Sequence, residues 1–543
     1  MKLYPNFIFF YTVIEFHLVN LSKMPNRSTD ALFQLIHSLQ KSEKRNFKLY
    51  VKRNSSNNDL KVVQLFDAID KMNVYDESML MNKTSSIKKQ QLPNIKAHLY
   101  RQILASLRLL ESADNIDLQL REQLDYARIL YNKGLYHQSL KVLEKIKETA
   151  KASSQINFYI EVLIFEKKIE SLHITRSMQD RADELTSDVN LSNDKLVKQS
   201  KLSNLALQLY SWYIKNGLAR NIEDEEEIEN FFHLHLTDDI KNPEGFYEKL
   251  YFSQSYSWYA FIRQDYLMYY RYTQKWVNVF LEEPSMIPIE TGNYIKGLHN
   301  LLNAHFTLRN YSGFEKTIAM LEEFGNSDIV KKNDNNKIQV FIYLYTAKIN
   351  RHFLEGTFRE GLSIVDEIEK QLDAYNLFLD HHRRLIFYYK IASLYFGAGD
   401  FDHAIDYLNK IINWKVNLRS DLQCYARLLH LIAHYDLGNF QLLEYLVKTV
   451  YRFMAKMQNL SLVEEEIFKF LRKTFYLSAK KLKPEFENLL DTIRHFETSK
   501  FETRAFAYLD IISWLESKVK DKQTYEIIRE KYLRGRKLYY QKA

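Results

Sequence analysis

The chain is poor in the residues that staple or punctuate a fold. Its 543 residues contain one cysteine, Cys424, which excludes an intramolecular disulfide framework and points to a reducing, cytoplasmic setting. Cys424 sits in Leu422-Gln-Cys-Tyr-Ala-Arg427 on an expected helix, so it reads as a small packing residue rather than a nucleophile. Only 7 prolines and 13 glycines occur, too few for the turns that sheets require. No proline lies between Pro288 and Pro484, so nothing in that stretch obliges a long helix to stop. The chain also lacks a Gly-x-Gly-x-x-Gly loop, a Walker-type loop and a Gly-x-Ser-x-Gly elbow. Without a constellation for catalysis, phosphate or metal, neither an enzyme nor a cofactor is expected.

What is abundant is apolar and aromatic. Hydrophobic residues make up 46%, enough for a folded chain, and the 38 Tyr and 34 Phe read as inter-helix packing groups. His430 and His434 stand four apart on an expected helix, as two imidazoles sharing a metal would, but no Glu adjoins His430 and no third ligand is evident. His233-x-His235 and His381-His382 have no organising partner either. The acidic run from Glu223 to Glu229 reads as a solvated inter-repeat segment rather than a cation site.

Residues 1–23 differ from the rest. Phe7 to Ile14 is apolar and Lys2 gives a positive start, yet Glu15 and His17 interrupt the run and no small-x-small cleavage site follows. The preferred reading is a start placed too early, with Met24 opening the protein; a weak anchor or an uncleaved signal is the alternative. No stable membrane insertion is expected.

Residues 24–117 read as a helical cap domain. Leu32, Leu35, Ile36 and Leu39 share one helical face, and Ser42 can cap a second helix with Phe47, Tyr50 and Val51 as its stripe. Asn54 to Asn58 reads as a loop, Asp59 as the cap of a third helix bearing Val62, Phe66 and Ile69. A helix after Pro93 carries Ile95, Leu99, Ile103, Leu107 and Leu110. Lys44, Arg45, Lys48, Lys52 and Arg53 concentrate positive charge here and could contact nucleic-acid phosphates. Net charge is only +8 and the pI about 8.9, short of a dedicated nucleic-acid binder.

From about Leu118 to residue 517 one phrase recurs. Its clearest copy is Tyr388-Tyr-Lys-Ile-Ala-Ser-Leu-Tyr-Phe-Gly-Ala-Gly-Asp-Phe401 followed by Ala404, Leu408 and Ile411. Gly399 breaks a first helix, Phe401 opens a second, and Ala404 lets the two backbones approach. Weaker copies centre on Gly134 with Tyr136, Gly356 with Phe358, Gly438 with Phe440, and on Tyr311. The turn aromatics Tyr266, Tyr311, Phe358, Phe401 and Phe440 are spaced 45, 47, 43 and 39 residues apart. Between Tyr136 and Tyr266 there is room for about three further units of poor signature. A basic segment, 518–543, reads as a capping helix or tail.

This phrase resembles the tetratricopeptide repeat, with departures at Ile411, where that family prefers a small residue, and Val416, where it often has Pro. The stretch Leu39-Gln-Lys-Ser-Glu-Lys-Arg-Asn-Phe-Lys-Leu-Tyr50 is similar to the opening of uncharacterised helical-repeat proteins from Bacteroidetes. The resemblance implies an all-α right-handed superhelix, or solenoid, of helical hairpins acting as a non-enzymatic scaffold that holds a protein or peptide in its concave groove. In that family the first helix of each hairpin lines the groove, which makes Asn350, Tyr389 and Ser393 the partner-facing candidates here. The competing reading is a nucleic-acid-associated regulator using the basic N-terminal helices. Whether the chain self-associates is open.

Overall fold

A computed structural model describes residues 30–53, 59–84, 86–111, 115–173, 179–376, 378–414, 420–457, 460–502 and 510–542. The N-terminal segment, the Asn54 to Asn58 loop and Val416 lie outside them. Among the described residues the regular elements are all helices, without a strand, and no helix is long and apolar enough to cross a membrane. The chain divides into two compact units, residues 1–125 and 126–543.

The first unit is built from α1 (Ala31–Ser38), α2 (Lys41–Arg53), α3 (Asp59–Asp70), α4 (Glu77–Lys83), α5 (Leu92–Glu111) and the start of α6 (Ile116–Asn132). Asp30 caps α1 by accepting from the backbone N–H of Leu32 and Phe33 at 3.0 and 3.2 Å. The expected stripes close into one core of Ile36, Phe47, Val62, Phe66, Ile69, Leu99 and Ile103, joined by Leu65 and Leu80. Two expectations fail locally. Ser42 lies within the first turn of α2, whose start is closed by Glu43 Oε2 accepting from the Gln40 N–H at 2.6 Å. Leu110, on the last turn of α5, is exposed.

The second unit continues with α7 (Tyr136–Ala152), α8 (Ile156–His173), α9 (Gln179–Asn216), α10 (Ile222–His235), α11 (Phe246–Ile262), α12 (Tyr266–Glu282), α13 (Thr291–Thr307) and α14 (Tyr311–Gly325). After the short α15 (Asp328–Lys331) come α16 (Asp334–Glu355), α17 (Phe358–Gly361), α18 (Val365–Ala374), α19 (His381–Ala398) and α20 (Phe401–Ile412). The unit ends with α21 (Ser420–Asp436), α22 (Phe440–Lys456), α23 (Leu462–Thr474), α24 (Ala479–His495), α25 (Ile511–Lys520) and α26 (Thr524–Lys542).

Each turn aromatic of the sequence phrase is the first residue of a helix: Tyr136, Tyr266, Tyr311, Phe358, Phe401 and Phe440. The residue two places earlier is left-handed every time. Gly134, Gly356, Gly399 and Gly438 supply that conformation at no steric cost, whereas Gln264 and Arg309 adopt it with φ of 59° and 51°. The intervening residue then donates its N–H back across the turn, from Asp265 to the Ala260 carbonyl and from Asp400 to the Tyr395 carbonyl, both at 2.9 Å. Asp265, Asn310 and Asp400 also cap the next helix through their side chains. Ala404 is fully buried, as the close helix contact requires.

Successive hairpins stack so that first helices meet first helices, α13 on α16, α16 on α19 and α19 on α21. Between Tyr136 and Tyr266 the packing differs from three ordinary hairpins: α7 and α8 pair, and α9 is then a single helix of 38 residues packed on α8 and α11. The acidic run forms the opening turns of α10, with Glu223, Glu226 and Glu227 exposed to solvent and the two carboxylates between them paired. Asp224 pairs with Arg220 at 2.7 Å, and Glu225 pairs with Arg263 at 2.7 Å and with Lys500. The basic α26 turns back onto α16 and α19.

Candidate functional site: a basic recess on the first helices

Among the polar positions of the first helices in the middle hairpins, one set of cations, amides and rings falls on facing surfaces. Lys296, His299 and Asn303 follow one another at three- and four-residue intervals on α13, which places them on one face. Tyr343 and Asn350 come from α16, Arg383 and Lys390 from α19, all seven-residue pairs that return to the same face after two turns. The two faces meet. Lys390 Nζ donates to Asn350 Oδ1 at 2.6 Å, and the His299 ring stacks on Tyr343 with centroids 4.2 Å apart.

Aromatic rings complete the recess. Lys296 Nζ lies 4.5 Å from the centre of the Tyr210 ring and 5.6 Å from that of Trp258, and Lys390 Nζ lies 5.6 Å from that of Phe353. Asn303 donates through its amide to His299 Nε2 at 3.1 Å, which leaves the proton of a neutral ring on Nδ1.

The electrostatics are those of a crowded, positively charged recess. Lys296, His299, Arg383 and Lys390 all keep contact with solvent, yet protein surrounds Lys296, His299 and Lys390 closely enough to penalise charge. Burial lowers the pKa of Lys390 to about 8 and, with Arg383 adding to it, also lowers that of Lys296. Burial, reinforced by Lys390, Lys296 and Arg383, pulls His299 down to about 3, so this ring is neutral at physiological pH. Tyr343 is pushed up by burial.

The sequence candidates fall in different places. Asn350 is buried and belongs to the recess through Lys390. Tyr389 is 6% exposed and packs into the hydrophobic core, turned away from the recess that its neighbour Lys390 enters. Ser393 donates to the Tyr389 carbonyl at 2.9 Å within its own helix. Lys296, His299, Tyr343, Arg383 and Lys390 were missed. The available signal was a lone cation inside an apolar run, as in Tyr388-Tyr-Lys390-Ile-Ala392 and Tyr294-Ile-Lys296-Gly-Leu298.

The basic N-terminal candidates are divided by the fold of the first unit. Lys44 pairs with Asp70 at 2.6 Å, and Lys48 with Asp67 at 2.7 Å, both on α3. Arg45, Lys52 and Arg53 are exposed. His430 and His434 are buried against one another, Nε2 to Nε2 at 3.3 Å, and Asn439 donates to His434 Nδ1 at 3.0 Å. Burial lowers both, His430 to about 4, and among the described residues no group of three or more His, Cys, Asp or Glu could hold a metal ion. No protein-family model matches the chain, and no curated protein matches it either.

Proposed function

We propose that this protein is a non-enzymatic scaffold whose second unit, a tetratricopeptide-like right-handed superhelix, holds a protein or peptide partner in the cytoplasm against its first helices. The observation that supports this most directly is the recess itself. Polar groups from α13, α16 and α19 converge on one solvent-contacting surface. A hydrogen-bonding floor ringed by tyrosine and tryptophan suits a peptide chain, which offers backbone carbonyls to amides and side chains to rings. Engagement of Lys44 and Lys48 by α3 carboxylates weighs against the nucleic-acid reading, since paired lysines have less charge to offer a phosphate.

The test is affinity recovery from native cells with the whole chain as bait, read by mass spectrometry. Partners retained by the wild type should be lost with Tyr343→Ala or Lys390→Met and kept when Arg45, Lys52 and Arg53 are reversed in charge. The opposite pattern, or salt-sensitive nucleic-acid binding abolished by the N-terminal reversals, would overturn this reading.

A further inference from the structure

Several part-buried cations elsewhere in the second unit have carboxylate partners, although Arg427 instead donates to backbone carbonyls and lies over Phe453. Lys147 lies between Glu144 and Glu166, Arg263 meets Glu225 and Glu229, Lys518 meets Asp436, and Lys531 meets Glu516. The recess is different. Among the described residues neither Lys296 nor Lys390 has an ion-pair partner, their contacts being the rings already named and the Asn350 amide. Arg383 reaches only Asp380 of its own helix, at 3.8 Å. Crowding Lys296 and Lys390 beside Arg383, with the Asp380 carboxylate as the one counter-charge among the described residues and that on Arg383, is unfavourable. An anion that enters removes that cost, which is differential stabilisation aimed at one chemistry.

The spacing indicates what kind of anion. Arg383 and Lys390 stand two helical turns apart, about 10 Å along α19, and Lys296 enters from α13. A single carboxylate or phosphate cannot touch both ends of such a set. A chain in the polyproline II conformation advances about 3.1 Å per residue and returns to the same face every three residues, so carboxylates three residues apart match the spacing of Arg383 and Lys390. Between them Asn303 and Tyr343, which keep contact with solvent, offer neutral polar groups to a peptide backbone. The rings over which Lys296 and Lys390 lie hold the ammonium groups in place before any partner arrives.

We infer that the recess takes an acidic segment of a protein partner, its side-chain carboxylates lying on Lys296, Arg383 and Lys390. This rests on the partner-binding reading and narrows it to one chemistry.

The experiment uses the purified full chain and a fluorescein-labelled peptide of Glu-Ser-Gly repeats, amidated at its C-terminus, followed by polarisation. Saturable binding is expected, absent for the Gln-Ser-Gly counterpart and weakened about tenfold or more by Lys390→Met or Lys296→Met, because each removes a charge-assisted contact. Both variants retain the stem of the side chain; Lys296→Met removes an uncompensated charge, so its melting temperature should not fall, whereas Lys390→Met also takes the donor from Asn350 Oδ1 and should lower it modestly.

Equal binding of the acidic and Gln peptides, or insensitivity to both Met substitutions, overturns the inference. So does displacement by inorganic phosphate at equal concentration, which would make the site one for a single anion. A requirement for a free C-terminal carboxylate, or tighter recess-dependent binding of a single-stranded oligonucleotide, overturns it too. If the acidic peptide fails while cellular partners remain sensitive to Tyr343→Ala, the recess binds a partner of other chemistry. If both fail, the partner-binding reading falls with it.

Discussion

At the scale of single residues, the imidazoles that the fold keeps neutral have a thermodynamic consequence. His305 is buried, its Nδ1 has no hydrogen-bond partner, and burial lowers its pKa to about 4, against 6.5 for the free group. Unfolding therefore takes up a proton wherever pH lies between those values, so stability is lost as pH falls from 6.5 towards 4. Replacing the ring by a similar shape without the nitrogens should remove this dependence. For His305→Phe, the urea midpoint should be unchanged or higher at pH 7 and should fall less between pH 6.5 and 4 than in the wild type. An identical pH profile would mean that His305 protonates freely in the folded chain. None of this was legible in the sequence, because the neighbours that desolvate His305, among them Tyr270 and the close turn at Gly313, come from other helices. The same reason hid Lys390: its meaning depends on Asn350 and His299, which lie forty and more positions earlier.

At the scale of elements the sequence was far more informative, because the hairpin turn is local. The turn residue and the opening aromatic lie close together in the chain, so the recurring aromatic, preceded by glycine at α7, α17, α20 and α22 but by Gln264 and Arg309 at α12 and α14, located the starts of these six helices. Where the turn chemistry is weak, so was the reading. The 38-residue α9 carries no punctuation that separates one long helix from a hairpin, and contacts with α8 and α11 decide the outcome. The small position three residues after the aromatic tests the element directly. Ala404 is fully buried, and at Gly361 an added Cβ would come within 2.8 Å of Leu394 Cδ2 and 2.9 Å of His352 Cγ. Ala404→Trp and Gly361→Val should each destabilise by about 1–3 kcal/mol or more, by overpacking between the paired helices. Thermal melting reads the effect, and an unchanged midpoint in either variant would contradict the helix contact assigned to it.

At the scale of the second unit, helices packed in succession are also joined over long stretches of chain. The C-terminal segment supplies contacts that skip along the array. Trp514 Nε1 donates to Asp436 at 3.1 Å and Lys518 pairs with the same carboxylate at 2.8 Å, which ties α25 to the end of α21. Further along, α26 reaches the middle hairpins: Arg529 donates to the Glu355 carbonyl at 3.1 Å, Arg359 lies over Tyr525, and Tyr532 meets Tyr311 edge-on at 4.9 Å. The closest approach is at the α16 turn, where a Cβ on Gly356 would lie 2.6 Å from the Arg529 backbone nitrogen. Gly356 is thus required both by its left-handed φ of 71° and by the backbone that crosses it. A chain ending at Gln523 should keep its helices but lose protection in the turns at Tyr311 and Gly356, measured by amide hydrogen exchange, because their cover is gone. Gly356→Ala should shift exchange in the same turns, and in α26 as well, since the added carbon strains its own turn and displaces the crossing helix. If truncation leaves exchange at Tyr311 and Gly356 unaltered, α26 rests on the array without holding it.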